Sequence, residues 1–146
     1  MQNNDIYNLR RFIAAQESCY ITALTEIKRG RKESHWMWYV FPQMKGLGRS
    51  PMSEKYGITC LDEAQAYLFN DVLSPRLFEI CGCLLNLPTD DVVSIFGRPD
   101  NLKLKSSMTL FAMAEPQADN FDRVLMKYFR GDTCKRTLSL LSKMKQ

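Results

Sequence analysis

Apolar residues spaced three and four apart, punctuated by glycine and proline, run through most of the chain, and a chain so patterned buries its apolar side chains by packing helices. From Asp5 to Arg29 they fall at Leu9, Phe12, Ile13, Tyr20, Ala23, Leu24 and Ile27. Gly30 follows as a stop, and Lys28 and Arg29 occupy the last turn, where cations complement the helix dipole. The spacing predicts one long amphipathic helix. SHWMWYV predicts a short helix ending near Val40, because Pro42 steers the residue before it away from helical dihedrals. QMKGLGRSPMSEKYG reads as an ordered Gly-rich loop with a single turn at SEKY. Further helices are predicted over LDEAQAYLF, over SPRLFEICGCLLNL, and over TDDVVSIF from a Thr89 cap to Gly97. Others run from Pro99 and Asp100 to Pro116, over ADNFDRVLMKYF to Gly131, and over TCKRTLSLLSKM. No period-two run bounded by turns marks a strand. The expected fold is all-α: a compact bundle of seven to eight helices forming a single domain over residues 1–146, an ordinary domain length.

Composition narrows the class. With 45% apolar and 25% charged residues, the chain is neither disordered nor fibrous. No apolar run reaches the roughly 18 residues needed to span a bilayer, and the polar start MQNNDIYNLRR lacks the apolar core of a signal peptide, so a cytoplasmic location without membrane association is expected. The cysteines, at 19, 60, 81, 83 and 134, are odd in number and mostly lie among apolar residues, which predicts structural thiols rather than a disulfide framework. Cys81 and Cys83 point in different directions on a helix, and one histidine adds few ligands, so neither a metal nor a cofactor is expected.

The formal charge of +4 is unevenly spread. Lys and Arg outnumber Asp and Glu nine to five over residues 1–60 and seven to one over 123–146, while residues 61–122 hold four against ten. If the basic ends meet in space, they form a positive face suited to an anion or a nucleic acid; otherwise they are solvated helix surface.

Chemistry concentrates between Gly30 and Ser53, which hold the only histidine, both tryptophans, Tyr39, Phe41, three glycines and two prolines. His35, beside Ser34 and near Arg31 and Lys32, is a candidate general acid or base; the competing reading is a buried histidine anchor, with Ser34 capping a short helix. Trp36 and Tyr39 share one helical face and Trp38 points elsewhere, so only part of the aromatic set can meet a ligand while the rest fills the core. KGLGRSPMS, with Gly48, Arg49 and Ser50, reads either as an anion nest or as a sharp turn needing positive φ at Gly46 and Gly48. KLKSSMTLF adds Lys103, Ser106 and Ser107, although hydroxyls bonded back to helical carbonyls would explain Ser106 and Thr109 equally well. Glu26, one turn before Gly30, is a second candidate for acid/base work or an ion-pair partner. No P-loop, HExxH, GxSxG or CxxC is present.

The succession RFxxAQ, GRKxSHWMWYxFPQxxGLGxS, EAxAYL, IFGxxDxxKLxSSMTLF and FxxVLxKYFxG, with a late TLxLL, resembles the bacterial domain-of-unknown-function 1810 family. The stretch SPRLFEI departs from that family's more usual Leu-Gly-x-Arg-Leu while keeping Arg76 and Leu77. The resemblance implies one multihelical cytoplasmic domain without an established activity. Members often carry the label calpastatin, but that inhibitor is largely disordered and repetitive, unlike this apolar, repeat-free chain. The expectation for function is a pocket around His35 that binds a small anionic, nucleotide-like or ADP-ribose-like ligand, with acid/base or N-glycosidic chemistry. Glu26 assists there, and Lys32, Ser34, Trp36, Gln43, Gly48, Arg49, Ser50, Lys103, Ser106 and Ser107 bind. The alternative is a non-catalytic nucleic-acid or protein-binding module using Arg29, Arg31, Lys135, Arg136, Lys143 and Lys145.

Overall fold

The computed structural model describes residues 5–144, which leaves Lys145 outside the described residues. They form ten helices: α1 Arg10–Glu17, α2 Tyr20–Lys28, α3 Met37–Val40, α4 Pro51–Tyr56, α5 Leu61–Phe69, α6 Leu73–Asn86, α7 Val92–Phe96, α8 Asp100–Ala114, α9 Asn120–Phe129 and α10 Lys135–Met144. The fold is all-α, as the apolar spacing predicts. The count exceeds seven to eight for two reasons. The SEKY turn extends to a full helix from Pro51, capped by Ser50 Oγ, which accepts the Ser53 N–H at 3.1 Å. The expected long first helix also breaks, because Cys19 adopts φ −138°, outside the helical region.

That break lets two short helices face different partners. α1 packs on α3, and its buried Gln16 donates to the Tyr39 carbonyl (2.7 Å) and contacts the Tyr67 hydroxyl (3.1 Å). α2 packs on α6, where the Tyr20 hydroxyl reaches the Arg76 carbonyl (2.9 Å) and Glu79 Oε1 (2.6 Å). A single straight helix could not turn the same apolar stripe toward both. The departing segment SPRLFEI lies wholly within α6. α7 is capped by Asp91, whose Oδ1 accepts the Ser94 N–H at 3.2 Å, rather than by Thr89, whose hydroxyl accepts the Asp91 N–H one turn earlier.

α8 is the spine. It packs against α5, α7, α9 and α10, and its buried residues, Leu104, Ser106, Ser107, Met108, Thr109, Leu110, Phe111 and Ala114, lie all around it, as in a helix enclosed by others. Two of its hydroxyls bond back along the helix, Ser106 Oγ to the Leu102 carbonyl (3.1 Å) and Thr109 Oγ1 to the Lys105 carbonyl (2.8 Å). Such back-bonding removes the cost of burying them. The segment between α3 and α4 is pinned by an isolated bridge between Met44 and Ile58, with Ile58 N–H donating to the Gln43 carbonyl (2.9 Å) and Lys45 N–H to the Ile58 carbonyl (2.8 Å).

The end of α6 is closed by a cation from α9. Lys127 Nζ donates to the carbonyls of Leu84 (3.0 Å), Leu85 (3.1 Å) and Leu87 (2.5 Å), and the neighbouring Tyr128 hydroxyl donates to Leu84 (2.6 Å). An ammonium there gives the helix-end carbonyls a donor and complements the helix dipole. Lys127→Met keeps the aliphatic stem and removes the donors; it should lower stability by about 1–2 kcal/mol, read as a fall in the urea midpoint at unchanged slope.

Candidate functional site

The segment after α2 takes its path from one buried carboxylate. Glu26 Oε1 accepts the N–H groups of Glu33 (2.8 Å) and Ser34 (3.0 Å) and Trp36 Nε1–H (2.9 Å), while Oε2 accepts the Ser34 hydroxyl. Burial alone pushes this carboxyl up; the hydrogen bonds from Ser34, Glu33 and Trp36 outweigh it and bring it down to about 2. Glu26 is therefore an organiser of the loop, with its oxygens committed to four donors, rather than a free acid or base. Ser34 spends its hydroxyl on Glu26 and does not cap α3, whose N-cap is Trp36.

Trp36 is fully buried against Phe41 and Phe96. His35, one residue earlier, turns outward into solvent, neither sealed as an anchor nor enclosed as a catalyst, and its carbonyl accepts the Tyr39 hydroxyl at 3.2 Å. Lys32 is also drawn inward: its Nζ pairs with Asp100 Oδ2 (2.9 Å) and donates to the Ser34 carbonyl (2.6 Å). Asp100 Oδ1 holds Lys103 at 3.0 Å, and the Lys103 ammonium lies 4.1 Å from the centre of the Trp38 ring. One carboxylate thus couples the loop to the start of α8.

Beside Lys103 opens a cavity of about 530 Å³, between the segment after α3, the first half of α8 and the start of α10. Its apolar wall is Trp38, Leu47, Pro99 and Leu102; its polar wall is Gln43, Lys103, Lys105, Ser106, Asp132, Thr133, Cys134, Lys135 and Arg136. Gly48 also lines it, where a Cβ would press on Ser53 at 3.0 Å from its Cβ. Gly46, at φ +103°, turns the loop so that its carbonyl accepts from Arg136 Nη2 (3.3 Å). This contact joins the two basic ends of the chain.

The structure gathers four of the sequence candidates at this cavity, Gln43, Gly48, Lys103 and Ser106. It places the others elsewhere. His35 and Arg49 are exposed, Lys32, Ser34 and Glu26 form the loop network, and Trp36 is core. Ser50 caps α4, and Ser107, fully buried, has no hydrogen-bond partner among the described residues. A cavity centred on His35 is replaced by one centred on Trp38 and Lys103.

Sequence reasoning passed over Cys134. It is half-buried, its N–H donates to Thr109 Oγ1 (3.0 Å), and Ser106 Oγ reaches its sulfur at 3.3 Å. The signal was present in TCKRT, a thiol just before a helix and followed by two cations. All five cysteines are free. Among the described residues, no group of three or more His, Cys, Asp or Glu side chains is arranged to hold a metal ion, and no helix is long and apolar enough to cross a membrane.

The family described as "Protein of unknown function (DUF1810)" matches residues 6–141. The chain belongs to this family. A DUF1810 assignment accords with the crystal structure of a conserved hypothetical protein, Rv1873, from Mycobacterium tuberculosis. That protein is 48% identical, with a TM-score of 0.93 over 94% of this chain and 99% of that one. No curated protein matches the chain. Membership in DUF1810 thus brings a fold and no activity.

The Glu26 network has a pH signature. Because the folded carboxyl titrates below its ordinary value of 4.5, the stability it supplies is complete above that pH and disappears as pH falls toward about 2. Glu26→Gln should cost on the order of 2 kcal/mol at neutral pH. Its deficit against the native chain should shrink between pH 4.5 and about 2, read from urea midpoints across that range.

Proposed function

We propose that the chain binds a small anionic ligand that carries a flat apolar group, nucleotide-like in character, in the cavity between Trp38 and the start of α10. The observation that carries this reading is one cavity of ligand size lined by both apolar and cationic side chains. Trp38 offers an aromatic surface already visited by the Lys103 ammonium, the arrangement that suits a planar group next to a negative one. Of the four cations, Lys103 is shared with Asp100 and Lys105 with Asp132 (2.6 Å), whereas Lys135 and Arg136 are exposed at the mouth, Arg136 reaching only the Gly46 carbonyl. These two supply net positive charge where a phosphate or carboxylate would sit.

Binding is the core of the proposal; N-glycosidic or acid/base turnover is its extension. For such turnover the carboxylate at hand is Asp132, which Lys105 holds ionised below its ordinary value. An ionised carboxylate can serve as a base or stabilise a developing cation, but not donate a proton. The competing reading, a nucleic-acid module, draws on the same Lys135 and Arg136 and predicts steep salt dependence.

Titration calorimetry with ADP, ADP-ribose, pyrophosphate and adenosine separates these readings. The diphosphates should bind and raise the melting temperature, adenosine less so. Lys135→Gln with Arg136→Gln should weaken them about tenfold or more, and Trp38→Ala should weaken ADP more than pyrophosphate. No binding by any anion would end the proposal. Oligonucleotide binding that falls steeply with salt, without nucleotide binding, would establish the module instead.

A further inference from the structure

Stacking and charge do not distinguish one ring from another. Every nucleobase has a π-face for Trp38 to cover, and Lys135 and Arg136 would meet only the phosphates. Discrimination has to come from a polar group at the ring's edge, and most of the cavity's polar side chains are already engaged. Lys103 pairs with Asp100, Lys105 pairs with Asp132, and the Ser106 hydroxyl is directed to the Leu102 carbonyl and the Cys134 sulfur. Gln43 is different.

Gln43 lines the cavity and is only 8% exposed, yet its side-chain amide has no hydrogen-bond partner among the described residues. Neither amide atom is sealed off, unlike the unpartnered hydroxyls of Ser107 and Thr137, so the amide opens on the cavity that Gln43 borders. The other buried glutamine, Gln16, shows what a core amide obtains elsewhere in this fold. Its Nε2 donates to the Tyr39 carbonyl (2.7 Å) and contacts the Tyr67 hydroxyl (3.1 Å), and its Oε1 accepts from Arg76 (3.3 Å). Gln43 has none of these, although its main chain is held firmly. Phe41, Pro42 and Met44 around it are buried, its carbonyl accepts the Ile58 N–H (2.9 Å), and Met44 bridges to Ile58. A buried amide without partners is costly once water leaves it, and a ligand that fills the cavity must supply what the protein does not.

We propose that Gln43 selects the ligand's ring, its amide reading the edge of a nitrogen heterocycle stacked on Trp38 that carries a hydrogen-bonding substituent beside a ring nitrogen. This rests on the cavity being the nucleotide-type site argued above. An amide offers one acceptor and a donor side by side, and the complementary edge is a donor next to an acceptor. Adenine presents such an edge with its exocyclic amine and N7 or N1, and hypoxanthine presents one with its N1–H and exocyclic oxygen. Because nothing in the protein fixes the Gln43 amide, it can turn to suit either. A bare purine can accept from Nε2 but gives Oε1 no donor, and that oxygen is then left unpaired beneath the ring.

Titration calorimetry on the intact chain tests this with ADP, IDP and purine riboside 5′-diphosphate. The three share ribose and diphosphate, so Lys135 and Arg136 act equally on all of them, and the series needs no variant. The tighter of ADP and IDP should bind about tenfold more strongly than the bare purine, and which of the two it is shows how the amide is turned. Gln43→Met keeps the length of the side chain and removes its polar atoms. In that protein, once its melting transition shows it folded, the advantage over the bare purine should fall to within about twofold. Equal binding of all three nucleotides by the native protein would overturn the proposal, and so would an advantage that survives undiminished in Gln43→Met. Pyrophosphate binding to the native protein separates the two failures. If pyrophosphate binds while the nucleotides are not distinguished, only the role of Gln43 is lost; if neither pyrophosphate nor any nucleotide binds, the cavity reading is lost with it.

Discussion

A carboxylate withdrawn from water must be given donors, and Glu26 obtains four of them from the ten residues that follow it. Leaving that charge buried and unpaired would cost several kcal/mol, a large part of the net stability of a domain this size. The route of the chain from Gly30 to Trp36 is set by this requirement. Once the Trp36 indole N–H is fixed on Glu26, the ring enters the core between Phe41 and Phe96, and the next helical turn must present Trp38 on another side. Lys32, brought inward by the same loop, engages Asp100, and Asp100 positions Lys103 over Trp38. The cavity is thus the far end of a chain of contacts that begins at one buried acid.

α8 connects this network to the thiol. Helices usually carry polar residues on the solvent side, but α8 is enclosed and buries three hydroxyls within one turn, Ser106, Ser107 and Thr109. Two of them satisfy helical carbonyls and also serve Cys134, Ser106 at the sulfur and Thr109 at the main-chain N–H. The helix that holds the core together therefore also sets the hydrogen bonds of a cysteine that lines the cavity. Function at this site would be sensitive to packing changes well away from any ligand.

The site's charge has a comparable origin. Basic residues near the start of α10 and basic residues of the glycine loop are remote in sequence, and the contact between Arg136 and Gly46 spans 90 positions. Packing brings the glycine loop and the start of α10 to one mouth, although Lys45 and Arg49 themselves do not line it. Concentrating cations there is unfavourable on its own, and the pairs Lys103–Asp100 and Lys105–Asp132 offset part of the repulsion while leaving Lys135 and Arg136 outward. Such a distribution is what the proposed anion site rests on.

Apolar spacing together with glycine and proline positions was enough to determine the helical class, the stops at Gly30, Gly97 and Gly131, and the ordered loop, but it offered Trp36 to a ligand, whereas Trp36 is core and Trp38 lines the cavity. It missed the break at Cys19, because a local turn of dihedral angle leaves the apolar stripe intact. Which polar residues would meet was decided only by tertiary structure. His35 looked central because it is chemically rare and its neighbours in sequence are polar, yet those neighbours are consumed by Glu26 and Asp100. Cys134 could not be placed at the cavity from sequence because the hydroxyls it meets come from α8. Periodicity reports which side of a helix is wet; a pocket is made of side chains from several helices, and their meeting depends on how the whole core packs.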